Sequence, residues 1–316
     1  MQHFTRRLVI IIPYLWLAAF FLWPMAIVLK IALSEPRLAQ PPYWPLLDLA
    51  AGWDGLVTFF KALSFENFVF LAQDDLYIAS LLSSLRISLI STAILITIGF
   101  PIAHAMARAP RSWRPILVAA MILPFWTSFL IRVYAWIGIL RPEGFLNHYL
   151  IGAGLISEPL TILNTEYAVF IALVYTYLPF MVLPLYATLE RMDHTLIEAA
   201  RDLGASRARA FWTVTVPLAK PGIIAGSLLC FIPITGEFVV PDLLGGSQTL
   251  MIGRTLWVEF FSNRDWPVAA AVAMVLLVVL VVPIVIFREA ESRRMEAGAK
   301  GGAKGGAGAR EKGERP

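Results

Sequence analysis

Apolar runs, each long enough to cross a membrane as a helix of about 20 residues, recur along the whole chain and constrain its fold more than any other feature. They occupy residues 8–29, 87–107, 115–140, 167–189, 221–244 and 268–287, the second extending back toward Ile78. Asp, Glu, Lys and Arg inside them are confined to Arg132 in the third run and to Glu237 and Asp242 in the fifth. Lys30 and Arg86 stand at the edges of runs. Composition agrees: of 316 residues, 58% are hydrophobic and 15% charged, where soluble domains carry about 25% charged residues. Folding cannot remove that much apolar surface from water, because a large share of any soluble fold stays exposed. The surplus faces lipid, which all but excludes a soluble enzyme. The expected fold class is an all-α membrane protein with six transmembrane helices over residues 8–287.

Cationic residues set the expected orientation, since Lys and Arg accumulate in cytoplasmic loops. Arg6 and Arg7 precede the first run; Arg108, Arg111 and Arg114 join the second and third; Arg191, Arg201, Arg207, Arg209 and Lys220 lie between the fourth and fifth. The segment after the sixth run is also rich in Lys and Arg. The opposite loops hold only Arg37, Lys61, Arg141, Arg254 and Arg264. Both termini are therefore expected in the cytoplasm, with residues 34–77 as a long external loop. The first run is too long for a signal-peptide core and lacks a small-x-small site, so it reads as an uncleaved span. Residues 288–316 repeat Ala-Lys-Gly-Gly and offer almost no apolar side chains to offset the entropy of ordering, so they read as a disordered charged tail.

No phosphate-binding GxxxxGK[ST] and no HExxH occurs, and His3, His104, His148 and His194 have no metal-ligand spacing. The single cysteine, Cys230, lies in an apolar run and reads as a buried, inert thiol. No cofactor, metal or catalytic group is expected in this chain.

The loop at 190–220 is the most informative stretch. Thr195 and Glu198 have capping-box spacing, and Leu196, Ala199, Ala200 and Leu203 share one narrow helical face. Gly204 is a natural stop, because glycine alone takes the left-handed C′ conformation cheaply. A second helix is expected from about Ser206, ended by Pro217, with Pro221 opening the fifth span. From the helix pattern alone, this pair is equally well a docking surface or a plain connector.

Glu198-Ala199-Ala200, three residues, Gly204, nine residues and Val214-Thr215-Val216-Pro217 resemble the EAA loop of binding-protein-dependent ABC importer permeases. The spacing is the family's throughout; valines replace its Ile and Leu. Further likeness to the spermidine/putrescine branch, putrescine-system permeases foremost, lies in 7–33, 124–136 (Pro-Phe-Trp-Thr-Ser-Phe-Leu-Ile-Arg-Val-Tyr-Ala-Trp), 159–163, 236–246, 251–254 and 263–267. The resemblance spans residues 7–287. It implies the MetI-like fold of type I importers, in which Glu198, Ala199, Ala200 and Gly204 dock on an ATPase subunit. It implies as partners a second related permease, two ATPase subunits carrying ATP and Mg, and a periplasmic polyamine-binding protein, with membrane lipid around them and no nucleic acid. The implied activity is ATP-driven import of a polyamine, putrescine ahead of spermidine.

A charge at mid-bilayer costs about 2.5–3.5 kcal/mol, so it faces a partner or a water path. Polyamines are multiply protonated, and a path for them calls for carboxylates and aromatic faces. Asp242, Glu237 and Phe238, with Trp257 and Glu259, are the candidates for such a path. Glu237 and Asp242 are about 140° apart on an ideal helix, so both line one cavity only if the helix unwinds, with Pro241 and Gly245-Gly246 as the signals. The competing reading pairs Glu237 with Arg132 as a structural bridge. Arg86 and Arg132 would repel a polyamine and read as structural or gating groups. Phe125, Trp126, Tyr134 and Trp136 read as packing or interface anchors. Ser80, Ser84, Ser88 and Thr92 form an i, i+4 row, and Gly222 and Gly226 have GxxxG spacing; both features read as helix packing. The alternatives left open are an importer of the same class for another solute, a stand-alone secondary transporter and a membrane scaffold.

Overall fold

The structure is a computed structural model that describes residues 11–285 except 49, 51, 194, 248 and 283. The expectations for residues 1–7 and for the tail lie outside the described residues. In chain order the elements are α1 (Ile11–Ala32), β1 (Glu35–Pro36), β2 (Tyr43–Trp44), α2 (Gly52–Lys61), α3 (Glu66–Gln73), α4 (Asp75–Arg108), α5 (Arg114–Trp126), α6 (Phe129–Leu140), α7 (Phe145–Gly152), α8 (Glu166–Glu190), α9 (Thr195–Asp202), α10 (Arg207–Thr235), α11 (Val239–Leu244), α12 (Ile252–Trp257) and α13 (Trp266–Val282). The chain divides into two units, residues 1–67 with 266–316, and residues 68–265.

In the first unit, α1 is exposed on nearly all sides, with Tyr14, Trp16, Phe20 and Trp23 all facing out. That pattern suits a helix surrounded by lipid. Its last carbonyls would be orphaned at the helix end. The buried Asn67 answers this: its Nδ2 donates to the carbonyls of Ala32 at 2.8 Å and Ser34 at 2.7 Å. Residues 34–77, expected as an external loop, form a two-residue hairpin followed by α2 and α3. Taken together, Gly52–Gln73 is long and apolar enough to count as a span by length and composition. Its aromatic residues (Phe59, Phe60, Phe65 and Phe70) supply the apolarity, and its charges hid the pattern from a search for charge-free runs.

The core of the second unit lies where α4, α8 and α10 pack together, with Ile87, Leu95, Leu173, Met181, Leu185, Cys230 and Ile234 fully buried. In lipid, helix association rests on close approach and interhelical hydrogen bonds rather than on expulsion of water. Both devices are present. A β-carbon at Gly222 would lie 2.6 Å from Thr188 Oγ1, and one at Gly226 would lie 2.8 Å from Met181 Sδ, so these glycines let α10 lie against α8. The three serines of the α4 row are buried and bonded, while Thr92 Oγ1 is buried without a partner among the described residues: Thr255 Oγ1 donates to Ser80 Oγ at 3.1 Å and the Ile252 N–H to Ser84 Oγ at 2.8 Å. Thr235 Oγ1 lies 2.9 Å from Ser88 Oγ. The packing readings of both motifs and of the buried Cys230 are borne out.

The span boundaries differ from expectation in four places. The second span is the 34-residue α4, about 51 Å long against a bilayer core of about 30 Å; Asp74 caps it by accepting the Leu76 N–H at 2.8 Å. The third span is bent by 86° where Thr127 and Ser128 separate α5 from α6, just after Pro124. Pro124 opens a 3-10 turn, Leu123–Trp126, and such turns commonly end α-helices. Pro217 does not end the loop helix. Helix α10 runs through it, because a π turn (Phe211–Thr215) precedes it and leaves Pro217 in the first turn of the next α segment, where its missing N–H is not needed. The fifth span stops at Thr235 and resumes as the short α11, so its helix is broken at residues 236–238. Helix α13, Trp266–Val282, corresponds to the sixth run.

Candidate functional site

Two regions of the second unit carry the candidate residues. The first is the loop helix α9 and the start of α10. Helix α9 begins at Thr195 as expected, but the acceptor at its start is Asp193, whose carboxylate takes the Thr195 N–H at 3.0 Å. Thr195 is thus already inside the helix, and Asp193 has the oxygen reach that the capping-box reading assigned to Thr195. Its C-terminus closes as the sequence implies. Gly204 has φ +86°, its N–H donates to the Arg201 carbonyl at 2.9 Å, and the Ala205 N–H donates to the Ala200 carbonyl at 3.0 Å. That pair of bonds is the Schellman arrangement, which satisfies the last carbonyls of a helix. Glu198 and Ala199 are exposed and Ala200 half-buried. Beside them Leu203 is 90% and Trp212 68% exposed.

Beyond Gly204, Ser206 caps α10 by accepting the Arg209 N–H at 3.3 Å. The π turn then directs Phe211 toward α4. Its ring meets Phe100 edge-on at 5.4 Å between centroids and His104 at 6.1 Å, while Phe100 and His104 stack at 6.2 Å. The exposed loop is therefore geared to the long helix α4 through three aromatic rings. The sequence offers no periodic signal for this contact, because it depends on the π turn. The same end of the unit carries the Arg114–Glu190 pair at 3.1 Å, which ties α5 to α8.

The second region surrounds the break at residues 236–238. Glu237 sits in it, half-buried, with both carboxylate oxygens accepting hydrogen bonds. Oε2 accepts the Tyr177 hydroxyl at 2.9 Å, and Oε1 accepts the N–H groups of Phe238 at 3.2 Å and Val239 at 3.1 Å. The carboxylate thus supports the free start of α11. Unwinding is the condition the sequence required, but its position is set by Gly236 and Glu237. Pro241 lies inside α11, in the first turn, where no N–H is needed. A β-carbon at Gly253 would collide with the Gly236 carbonyl, so the start of α12 also crosses the break closely.

Phe238 stacks face to face on Trp257, centroids 4.6 Å apart and planes 11° from parallel, and Trp257 leans on Phe261 at 4.0 Å. Trp257 remains 39% exposed. Glu237, Phe238 and Trp257 thus gather at the break. Asp242 and Glu259 take other partners. Asp242 pairs with Arg254 at 3.1 Å. Glu259 is 9% exposed and accepts from Tyr77 at 2.9 Å and Asn263 at 2.8 Å. Among the described residues no Lys, Arg or His lies within 4.0 Å of Glu237 or Glu259, so both carboxylates lack a counter-ion.

The Glu237–Arg132 bridge does not form. Arg132 lies over Phe125 at 4.6 Å, and its Nε and Nη1 are buried without an acceptor among the described residues. Aromatic rings fill the path between the two charges: Phe125 packs on Phe180 at 5.4 Å, and Phe180 on Tyr177 at 6.0 Å. Arg86 pairs instead with Glu166 at the start of α8. Tyr177, Tyr77, Asn263 and Arg254 escaped sequence reasoning. Tyr177 is 60 residues from Glu237 and Tyr77 is 182 from Glu259, so no local spacing pointed to either.

The sequence and the fold have counterparts among known proteins. The family described as "Binding-protein-dependent transport system inner membrane component" matches residues 95–289. The spermidine/putrescine transport system permease protein PotB of Escherichia coli (strain K12) is 44% identical over 214 residues, 68% of this chain and 78% of PotB. PotB of Haemophilus influenzae is 39% identical over 285 residues, 90% of this chain and 93% of that protein. A bacterial alginate ABC transporter, solved in complex with an alginate-loaded periplasmic protein, has a chain of the same fold, with TM-score 0.67 at 18% identity, covering 93% of this chain and 96% of that one. The chain therefore has an all-α ABC importer permease fold, and it belongs to the family of binding-protein-dependent transport system inner membrane components.

Proposed function

We propose that this chain is a translocating subunit of an ATP-driven polyamine importer. The observation that carries the reading is 39% identity to a spermidine/putrescine permease over 90% of this chain. The site's chemistry supports it: Glu237 offers a carboxylate without a counter-ion beside the stacked faces of Phe238 and Trp257, which suits a hydrated organic cation. Putrescine takes precedence over spermidine on the resemblance of segments 124–136 and 236–246.

The chain works with a second permease, two ATPase subunits that hold ATP and Mg, and a periplasmic polyamine-binding protein. Both termini and α9 face the cytoplasm, as the Lys and Arg distribution requires. Closure of the ATPase pair pulls α9 through Glu198, Ala199 and Ala200. The rigid turn at Gly204 passes that motion to α10, and the Phe211–Phe100–His104 contact passes it to α4. Helix α10 carries the break at Glu237, so displacement of its lower end changes access to the carboxylate. Nothing in this cycle requires tight binding of substrate, only different contacts in two states.

Binding-protein-stimulated ATP hydrolysis in the reconstituted complex tests the reading. Glu198→Ala is expected to lower stimulation while leaving the complex assembled. Unchanged stimulation would remove the coupling role of α9. Uptake driven by an ion gradient without ATP would favour a secondary transporter instead.

A further inference from the structure

Lys30 lies in the last turn of α1, and its ammonium is caged by aromatic rings. Nζ sits 4.2 Å from the ring centroid of Tyr43 and 5.6 Å from that of Phe59. Phe59 is buried, Tyr43 is set by the β1–β2 pair, and Trp266 lies 6.3 Å behind Tyr43. Asn67, by holding the carbonyls of Ala32 and Ser34, fixes the end of α1 that carries the lysine. Among the described residues no carboxylate lies within 4.0 Å of Nζ: the ion pairs there are all made by arginines. Among those residues, ring faces alone hold this cation.

That mode of holding has a chemical consequence. A lysine side chain is a butylammonium, and putrescine is butane with an ammonium at each end. What fills the cage is, atom for atom, the dication proposed above as substrate with one ammonium missing. An ammonium held by ring faces is exchangeable, because no directional ion pair must break first. The four-carbon stem lets Lys30 withdraw to the headgroup region without moving α1. Glu35, exposed on the strand paired with that of Tyr43, puts a carboxylate on the same hairpin for the second ammonium.

We propose that the Tyr43/Phe59 cage is a binding site for the terminal ammonium of a polyamine, which enters by exchange with Lys30. The inference rests on the polyamine reading. In the proposed orientation the cage lies at the outer end of α1.

The chain has six lysines, few enough to watch singly. The assembled complex in lipid nanodiscs is reductively methylated with 13C-formaldehyde, and the Lys30 methyl signal is identified by its loss in Lys30→Arg. In the wild type that signal is expected upfield, shifted by the two rings, and Tyr43→Leu should return it toward the exposed position. Adding 1,4-diaminobutane at millimolar concentration should do the same, while 1,4-butanediol or sodium chloride of equal ionic strength should not. A signal that lacks the upfield shift, stays in place with the diamine, or moves equally with salt would overturn the proposal. ATP hydrolysis is measured on the same preparation before methylation. Stimulation by the putrescine-loaded binding protein together with an unmoved Lys30 signal refutes the cage and leaves the polyamine reading standing. A signal displaced by the diamine without such stimulation removes the polyamine reading and not the cage.

Discussion

Gly204 separates backbone conformation from packing more cleanly than any other position in the coupling loop. Its φ of +86° is one that side chains rarely adopt, yet a β-carbon there would meet nothing within 4 Å. Gly204→Ala should therefore cost the left-handed penalty alone, about 1–2 kcal/mol. If the residue instead relaxes out of that conformation, the loop loses the two bonds from Gly204 and Ala205 that close α9. Either way the population of the closed turn falls by a factor of about 5–30. Asparagine tolerates the left-handed region better, so Gly204→Asn should fall between glycine and alanine, although its side chain is larger. The assay is ATP hydrolysis stimulated by loaded binding protein, with recovery of the intact complex as the control. The expected order of stimulation is Gly, then Asn, then Ala, with recovery unchanged. Alanine equal to glycine, or asparagine worse than alanine, would refute the backbone reasoning.

Gly222→Val should behave in the opposite way: a β-carbon 2.6 Å from Thr188 Oγ1 forces α10 off α8, costing about 1–3 kcal/mol or more, seen as lost yield of monodisperse complex rather than lost coupling. Tyr177→Phe removes one of the three donors to Glu237; it should cost about 1–3 kcal/mol, read as a lower thermal midpoint, and should change the apparent KM for the dication. Thr235→Val deletes the contact with Ser88 and should cost only about 0.6 kcal/mol, with uptake near normal. Glu166→Gln breaks a partly exposed pair with Arg86 and should cost no more than about 1 kcal/mol; a collapse of the complex would show that Arg86 has a larger role.

What the sequence disclosed follows from which interactions are local. The apolar runs and the stop at Gly204 depend on residues within a turn or two of one another, and the serine row and Gly222 and Gly226 mark a packing face by local spacing alone, although the partners they meet lie far away in the chain. The π turn before Pro217 was hidden, because proline alone reads as a terminator and only the added residue in the preceding turn makes it compatible with a continuing helix. The break in the fifth span was foreseen as a need, but its position fell to Gly236 and Glu237, whose carboxylate supplies the acceptors that an interrupted helix demands. The partners of the carboxylates were out of reach: Tyr177 and Tyr77 are brought in by tertiary packing. The Glu237–Arg132 bridge was inferred from charge alone, and charge alone does not register that Phe125, Phe180 and Tyr177 occupy the space between.

Accumulation of labelled putrescine in proteoliposomes tests the importer reading most directly. The liposomes contain this chain, its second permease and the ATPase subunits, with loaded binding protein inside the compartment that represents the periplasm and ATP on the other side. Accumulation against a gradient that requires ATP and the binding protein, and that falls several-fold with Gly204→Ala and with Glu237→Gln, is the expected result. ATP hydrolysis stimulated by the binding protein without movement of putrescine or spermidine would contradict the polyamine assignment, and putrescine uptake indifferent to ATP would contradict the importer itself.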